Sequence, residues 1–338
     1  MLDVPYISVI ILSWNRKQYI KRAVNSVLNQ TLTSELIEII ITKNYYDQDI
    51  DYFLKVNNVK SIYLPVDEVG TKIADAINIA RGTIICFLDD DDTFEPDKLS
   101  YVCDVFTSDS DIGYIHDSIN LINEDGGIIK SSPLIKSKNH RLLLKPEDKN
   151  DSHFKKIMKD IHVGPASALS IRREILVRFL EPLHKLKLSF DGFSLIVGLC
   201  SGHPMLFSEL VLTNYRIHST TTHAFTSFSD FKAVKINYFR LVAQDYSLFS
   251  DMLESGEFPK FGYYFALHSN IFKLLIGKES KIHLSEVLKF TKLALSTRDR
   301  SAILSLLPVY ATFVSNKVGW LIYFWLSKVF AKIAVLAV

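Results

Sequence analysis

A chain of 338 residues that is 48% hydrophobic and 22% charged is globular in composition, with room for about two structural units. Its formal net charge of +2 excludes a nucleic-acid partner held by a generally basic surface. The three cysteines, Cys86, Cys103 and Cys200, are odd in number, lie among apolar neighbours and show no C-x-x-C spacing, which excludes a disulfide framework and predicts inert thiols in a reducing compartment.

Residues 1–20 lack a basic segment followed by an apolar one, so no leader peptide is expected and the chain reads as cytoplasmic. Continuous apolar runs at 6–12 (YISVIIL), 37–42 (IEIIIT), 59–64 (VKSIYL) and 83–88 (TIICFL) have the character of strands buried on both faces of a parallel sheet. Between them, 17–30 sets Ile20, Val24, Val27 and Leu28 on one helical face, and the helical pattern of 71–82 ends in a glycine. The alternation predicts an α/β, doubly wound, mostly parallel sheet, in which ligands bind at the carboxyl ends of the strands. Pro96 then suits the first turn of a helix reaching about Thr107, 112–116 reads as a strand, and 119–130 as a hairpin around Asp125-Gly126-Gly127. Residues 131–160 are rich in Lys, Ser and Asn without a period, which predicts a mobile surface segment. From about Phe231 the pattern turns helical and aromatic, and no internal repeat is present.

The fourth predicted strand runs into Asp89-Asp90-Asp91-Asp92. Four carboxylates at the edge of a core repel one another and lose hydration, so a cation or hydrogen-bond donors must meet them. A helix N-terminus accounts for one acid, not four. Three chemistries use such a cluster. Asp89-x-Asp91-x-Thr93 matches a phosphatase-like spacing with a nucleophilic first Asp, but three βα units precede it and no Gly-Asp dipeptide occurs for the later metal loop. The residue order of a calcium loop is absent. The third chemistry is a divalent cation held against a nucleotide's diphosphate, whose growing charge must be neutralised as it leaves an anomeric carbon.

The ordered segments ISVIILSWNR, SVLNQTL, IEIIITKN, GTKIADAINIARGTIICFLDDDD and PDKL resemble the family 2 glycosyltransferases of GT-A fold, over roughly residues 6–220. The resemblance implies a GT-A-type domain over 1–225, with a nucleotide-sugar half at about 1–117 and an acceptor half at about 118–225, followed by a helical region over 226–338. It implies Mg²⁺ or Mn²⁺ held by Asp91 and Asp89, with Asp89 and Asp90 toward the ribose and metal shell. Ser13, Trp14 and Asn15 stand where the family's Thr-Tyr-Asn lines the nucleobase pocket. Two departures occur: Lys43-Asn44 replaces the family's Asp-Asp after the second strand, leaving Asn44 to meet a base edge, and Ile73-Ala74 replaces Arg-Asn, leaving Lys72 as the nearest cation.

The segment at 188–202, LSFDGFSLIVGLCSG, resembles the family's general-base segment, which makes Asp191 the expected base, although Gly192 replaces an acid and Asp191 would equally serve as the N-cap of a helix over Phe193–Leu199. LTNYRIHSTTTHA at 212–224 resembles a strand leading to a loop in which His218 would reach the metal or diphosphate and Arg216 the phosphates. His162 precedes a small-residue turn on the acceptor side, and Arg172 and Arg173 would begin a solvated helix. The implied reaction is transfer of a sugar, with inversion, from a nucleotide-diphosphate sugar to a glycan or lipid-linked acceptor. A non-catalytic sugar-nucleotide-binding or scaffold protein is the alternative, motivated by the replaced acids.

Residues 301–338 contain no Asp, Glu or Arg, and their apolar runs at 302–315 and 318–327 are each shorter than the roughly 20 residues that span a bilayer. Trp320, Tyr323 and Trp325 with three lysines predict interfacial helices at the inner face of a membrane. A buried helical core or a homo-oligomer interface is the competing use of this tail.

Overall fold

The computed structural model describes residues 6–14, 16–132, 141–149, 164–217, 227–254, 258–277, 283–297, 300–313 and 315–336. The chain divides into two compact units, residues 1–149 with 162–217, and residues 150–161 with 218–338.

The first unit is built on a ten-stranded sheet. Strands β1 (Ile7–Leu12), β2 (Ile37–Lys43), β3 (Lys60–Tyr63) and β4 (Ile84–Asp89) run parallel in the order β3-β2-β1-β4. Beyond β4 the order continues through β9 (Leu169–Arg172), β6 (Tyr114–Ile122), β10 (Met205–Arg216) and β5 (Thr93–Phe94). β9 is antiparallel to both β4 and β6, whereas β6 and β10 are parallel. The predicted mostly parallel α/β sheet is therefore present.

Ile7 to Ile11 of β1 and Ile84 to Leu88 of β4 are all buried, as continuous apolar strands covered on both faces must be. Ile20, Ala23, Val24 and Val27 of α1 (Lys17–Leu28) pack into the same core, each large side chain contributing about 1.5–3 kcal/mol by leaving water. Leu28, expected on that face, is exposed. Between β2 and β3 lies α2 (Gln48–Val56), whose first turn is capped by Asp47 accepting from Ile50 N at 3.2 Å. Helix α3 (Val69–Ile79) follows β3, and Gly82 then passes so close to β1 that a Cβ there would lie 2.5 Å from Ser8 N.

After β5, α4 (Lys98–Ser108) leads into β6, which is a single strand over Tyr114–Ile122 and turns at 123–127 into β7 (Ile128–Ser132). β8 (Arg141–Leu144) corrects the aperiodic reading of 131–160: its four residues pair with β10, a partner some sixty residues away that no local pattern announces. Short helices α5 (Arg173–Arg178) and α6 (Leu180–Lys185) precede α7 (Phe190–Cys200).

The second unit is helical: α8 (Phe228–Glu254), α9 (Pro259–Leu275), α10 (Leu284–Thr297), α11 (Arg300–Thr312) and α12 (Asn316–Leu336). Phe239 of α8 stacks on Phe272 of α9 at 4.7 Å, and Phe231 meets Phe324 of α12 at 5.1 Å and Trp320 at 6.3 Å. Trp320 is 1% exposed, which corrects its expected place at an interface: it is core. Among the described residues no helix is long and apolar enough to cross a membrane.

Candidate active site

β1 and β4 are neighbours in parallel register with Leu12 opposite Asp89, so the chain leaves the sheet from both strands at one edge. Asp92 N donates to Asp89 O at 3.2 Å, closing a turn that sends successive aspartates in different directions. Asp90 turns toward the β1 loop. It is wholly buried, its Oδ2 accepts from Ser13 Oγ at 2.9 Å and Trp14 N at 2.7 Å, and its Oδ1 lies 2.7 Å from Arg16 Nε. Both Asp90 oxygens thus tie the two strand ends together.

Asp89, Asp91 and Asp92 each offer an oxygen within 4.8 Å of the others. Asp91 ion-pairs with Arg16 Nη1. Asp92 accepts from Ser167 Oγ at 2.6 Å and from Arg216 N at 2.8 Å. Ser167 Oγ in turn accepts from Asp89 N at 3.0 Å, so one hydroxyl fixes both ends of the turn. Burial first, then the Asp92 and Asp91 charges, hold Asp89 well above the usual carboxylate range. Burial and Asp91 push Asp92 up to about 7. An oxygen-only set of crowded carboxylates fits a hard divalent cation such as Mg²⁺ or Mn²⁺. Asp92 thus joins Asp89 and Asp91 in this cluster, while His218, expected as the third metal ligand, lies outside the described residues, as do His162 and Asn15.

Asp191 sits in the first turn of α7, with Ser189 in the cap position, so the helix starts earlier than Phe193 and Asp191 is not its N-cap. It accepts a backbone hydrogen bond from Ala166, and burial pushes it up to about 6. Gly164, at φ +104°, lets the backbone pass so near that a Cβ would stand 2.8 Å from Asp191 Oδ2. The Asp191 charge reaches the aspartate turn, where it raises Asp89. Tyr215 of β10 is raised by burial and then by the charges of Asp92, Asp89, Asp91 and Asp191, so its phenol lies within their electrostatic reach.

A buried ion pair braces this arrangement. Lys98 Nζ donates to Asp117 Oδ1 at 2.6 Å, Thr213 Oγ1 at 2.7 Å and Ser167 O at 2.8 Å, linking α4, β6, β10 and the Ser167 turn. Arg216, expected at the phosphates, directs Nε to Asp91 O at 2.7 Å and Nη1 to the carbonyls of Asn123 and Glu124 at 2.7 and 2.9 Å. It is 2% exposed, and those bonds fasten the turn.

At the β1 and β2 ends, Ser13 Oγ lies 2.9 Å from Tyr45 OH, and the Trp14 ring is exposed with Lys72 Nζ 4.0 Å from its centroid. Lys72 is 2% exposed, and its Nζ has no hydrogen-bond partner among the described residues. Burial lowers its pKa against the pull of Asp67 and Asp90. Lys43 Nζ is engaged by Tyr45 O at 2.8 Å and Asp51 Oδ1 at 2.7 Å, while Asn44 Oδ1 is a buried acceptor without a partner among the described residues.

Sequence reasoning missed Arg16, Asp92, Ser167 and Tyr215. Asp92 and Arg16 lay inside quoted motifs, but nothing in the spacing says which aspartate turns which way. Ser167, inside GPASALS, carries no chemical signal of its own.

A family model described as glycosyl transferase family 2 matches residues 8–179, just over half of the chain. An uncharacterised glycosyltransferase of Nostoc sp. is 27% identical over 227 residues, 64% of this chain and 66% of that protein. The chondroitin synthase of Escherichia coli is 29% identical over 133 residues, 38% of this chain and 19% of that protein. The chain thus spans under two thirds of the length of these relatives. The crystal structure of S. aureus TarS 1–349 in complex with UDP-GlcNAc shares the fold, with a TM-score of 0.58 over 92% of this chain and 88% of that one, at 14% identity.

Proposed function

The chain belongs to glycosyl transferase family 2, and on that premise we propose that it transfers a sugar from a nucleotide-diphosphate sugar to a hydroxyl of a glycan or lipid-linked acceptor, with inversion. The observation that carries this reading is the gathering of Asp89, Asp91 and Asp92 at the end of β4 within electrostatic reach of Asp191. The UDP-GlcNAc complex of the structural neighbour supports a nucleotide sugar as donor.

Asp89, Asp91 and Asp92 would hold the cation, and a bound Mg²⁺ or Mn²⁺ would neutralise charge on the departing diphosphate. Asp191 takes the proton of the acceptor hydroxyl as that oxygen bonds to the anomeric carbon and the bond from carbon to diphosphate oxygen breaks. Its carboxylate suits this task because burial brings its proton affinity near working pH. Arg16 shares its charge with Asp90 and Asp91 and keeps the turn rigid when the site is loaded. Ser13, Trp14, Asn44 and Lys72 form the nucleoside end: Trp14 offers a ring face, Asn44 Oδ1 an acceptor for a base N–H, and Lys72 a donor for a base carbonyl or a phosphate. The enzyme works peripherally at the inner face of the cell membrane, where a lipid-linked acceptor is delivered.

The test is hydrolysis of a panel of labelled nucleotide sugars, with and without EDTA and with Mn²⁺ added back. One donor class cleaved only in the presence of metal supports the reading. No binding or cleavage of any nucleotide sugar overturns it.

A further inference from the structure

Helices α10 and α12 of the second unit carry apolar residues on both faces. On the inner side α10 buries Val287, Phe290 and Ala294, and α12 buries Trp320. On its opposite, exposed face α10 presents Leu284, Leu288 and Leu295, and on its own exposed face α12 presents Val318, Leu321 and Trp325, all six between 42% and 63% exposed. Spacings of four and seven residues on α10, and of three and four on α12, make each set one helical stripe instead of a scatter of single residues. Lys289, Lys292 and Lys317 are exposed on the same two helices.

We infer that these outer stripes are a docking surface for an anionic lipid bilayer. From Leu284 to Val338 there are seven basic and two acidic residues, a net +5 in a chain whose total is +2, so the remainder is negative and the basic charge is segregated onto this part. Leucine and tryptophan enter the boundary between headgroups and acyl chains, and the long lysine stems let their ammonium groups rise to the phosphates. A second copy of this chain is the other occupant that such a face could take. A two-fold interface would set the same lysines against one another with only Glu286 and Asp299 to answer seven basic residues, whereas lipid phosphates complement them. The inference deepens the membrane placement proposed above: it moves contact from Trp320 and Tyr323 of the tail to the stripes on α10 and α12.

The experiment is co-sedimentation of the full chain with vesicles of neutral phosphatidylcholine, or of phosphatidylcholine with 30% phosphatidylglycerol, at low and high salt. Leu288→Glu/Trp325→Glu is compared with Tyr52→Glu, an exposed aromatic of the first unit. Binding should require the anionic lipid, weaken with salt, and fall at least tenfold in the double variant but not in the control. Vesicle binding indifferent to the double substitution overturns the inference. So does absence of vesicle binding together with a dimer, seen by analytical ultracentrifugation, that the substitutions dissolve. Donor hydrolysis in free solution is measured alongside: if it persists while vesicle binding fails, the docking surface alone is wrong; its failure counts against the transferase reading.

Discussion

Replacing Lys98 by Met should cost about 3–5 kcal/mol of folding stability. The side chain is fully buried, and its ammonium serves Asp117, Thr213 and Ser167 within 2.8 Å. Methionine keeps the length of the stem but leaves the Asp117 carboxylate buried with a single side-chain donor among the described residues, the Thr213 hydroxyl at 2.7 Å. Removing one partner of such a pair costs more than the pair contributes, because the other charge stays desolvated. Burial already raises Asp117 above the usual carboxylate range, and losing Lys98 raises it further, so the carboxyl takes up a proton in the folded variant. A folded pKa above the unfolded one means stability is lost as pH rises, so the deficit should be larger at pH 8 than at pH 5. Lys98→Met/Asp117→Leu, which removes the orphaned charge, should recover at least half of the loss. Urea unfolding of the three proteins at both pH values measures all of this. A loss below about 1 kcal/mol, or a double variant no better than the single one, refutes the bracing role. The same variant should also bind metal more weakly, because Lys98 holds the carbonyl of the residue whose hydroxyl holds Asp92.

Asp191→Asn should lower transfer by about 10² or more while nucleotide affinity is unchanged, and in the unsubstituted enzyme the rate should climb as pH rises through about 6, where Asp191 becomes able to accept a proton; rates and nucleotide titrations across pH 5–8 check both. Asp92, held near 7, binds its proton more tightly folded than unfolded, so metal-free stability should fall as pH rises from the ordinary carboxylate range to about 7, and Mn²⁺ should raise Tm more at pH 8 than at pH 5.5. Ser167→Ala should cost about 1–3 kcal/mol and loosen metal binding, since Asp92 loses a 2.6 Å donor and Asp89 N loses its acceptor; thermal melts with and without Mn²⁺ report each part.

The strands around the site were legible because each is a continuous apolar run, and burial on both faces leaves that signature in sequence order. The site edge followed, since parallel strands deliver their carboxyl ends together. The division of labour among Asp89 to Asp92 was not legible, because it is decided by partners far along the chain: Ser13, Trp14 and Arg16 claim Asp90, whereas Ser167 and Arg216 claim Asp92. Arg216 illustrates the same limit, as its donors meet carbonyls of Asp91 and Asn123 that only the fold brings near. β8 escaped notice because four residues in a lysine-rich stretch have too little pattern to stand out. In the tail, composition revealed aromatic helices but not which face they bury; Trp320 and Trp325 lie five residues apart and point to core and solvent respectively.

The central claim is that the aspartate cluster after β4 takes a divalent cation together with a nucleotide diphosphate, and Mn²⁺ titration by electron paramagnetic resonance tests it most directly. The unsubstituted chain should take up Mn²⁺, with affinity that tightens when a nucleoside diphosphate is added, and Asp91→Asn should lose that uptake at least tenfold while its melting temperature holds. Equal Mn²⁺ uptake by both proteins, or uptake indifferent to the diphosphate, would contradict the account.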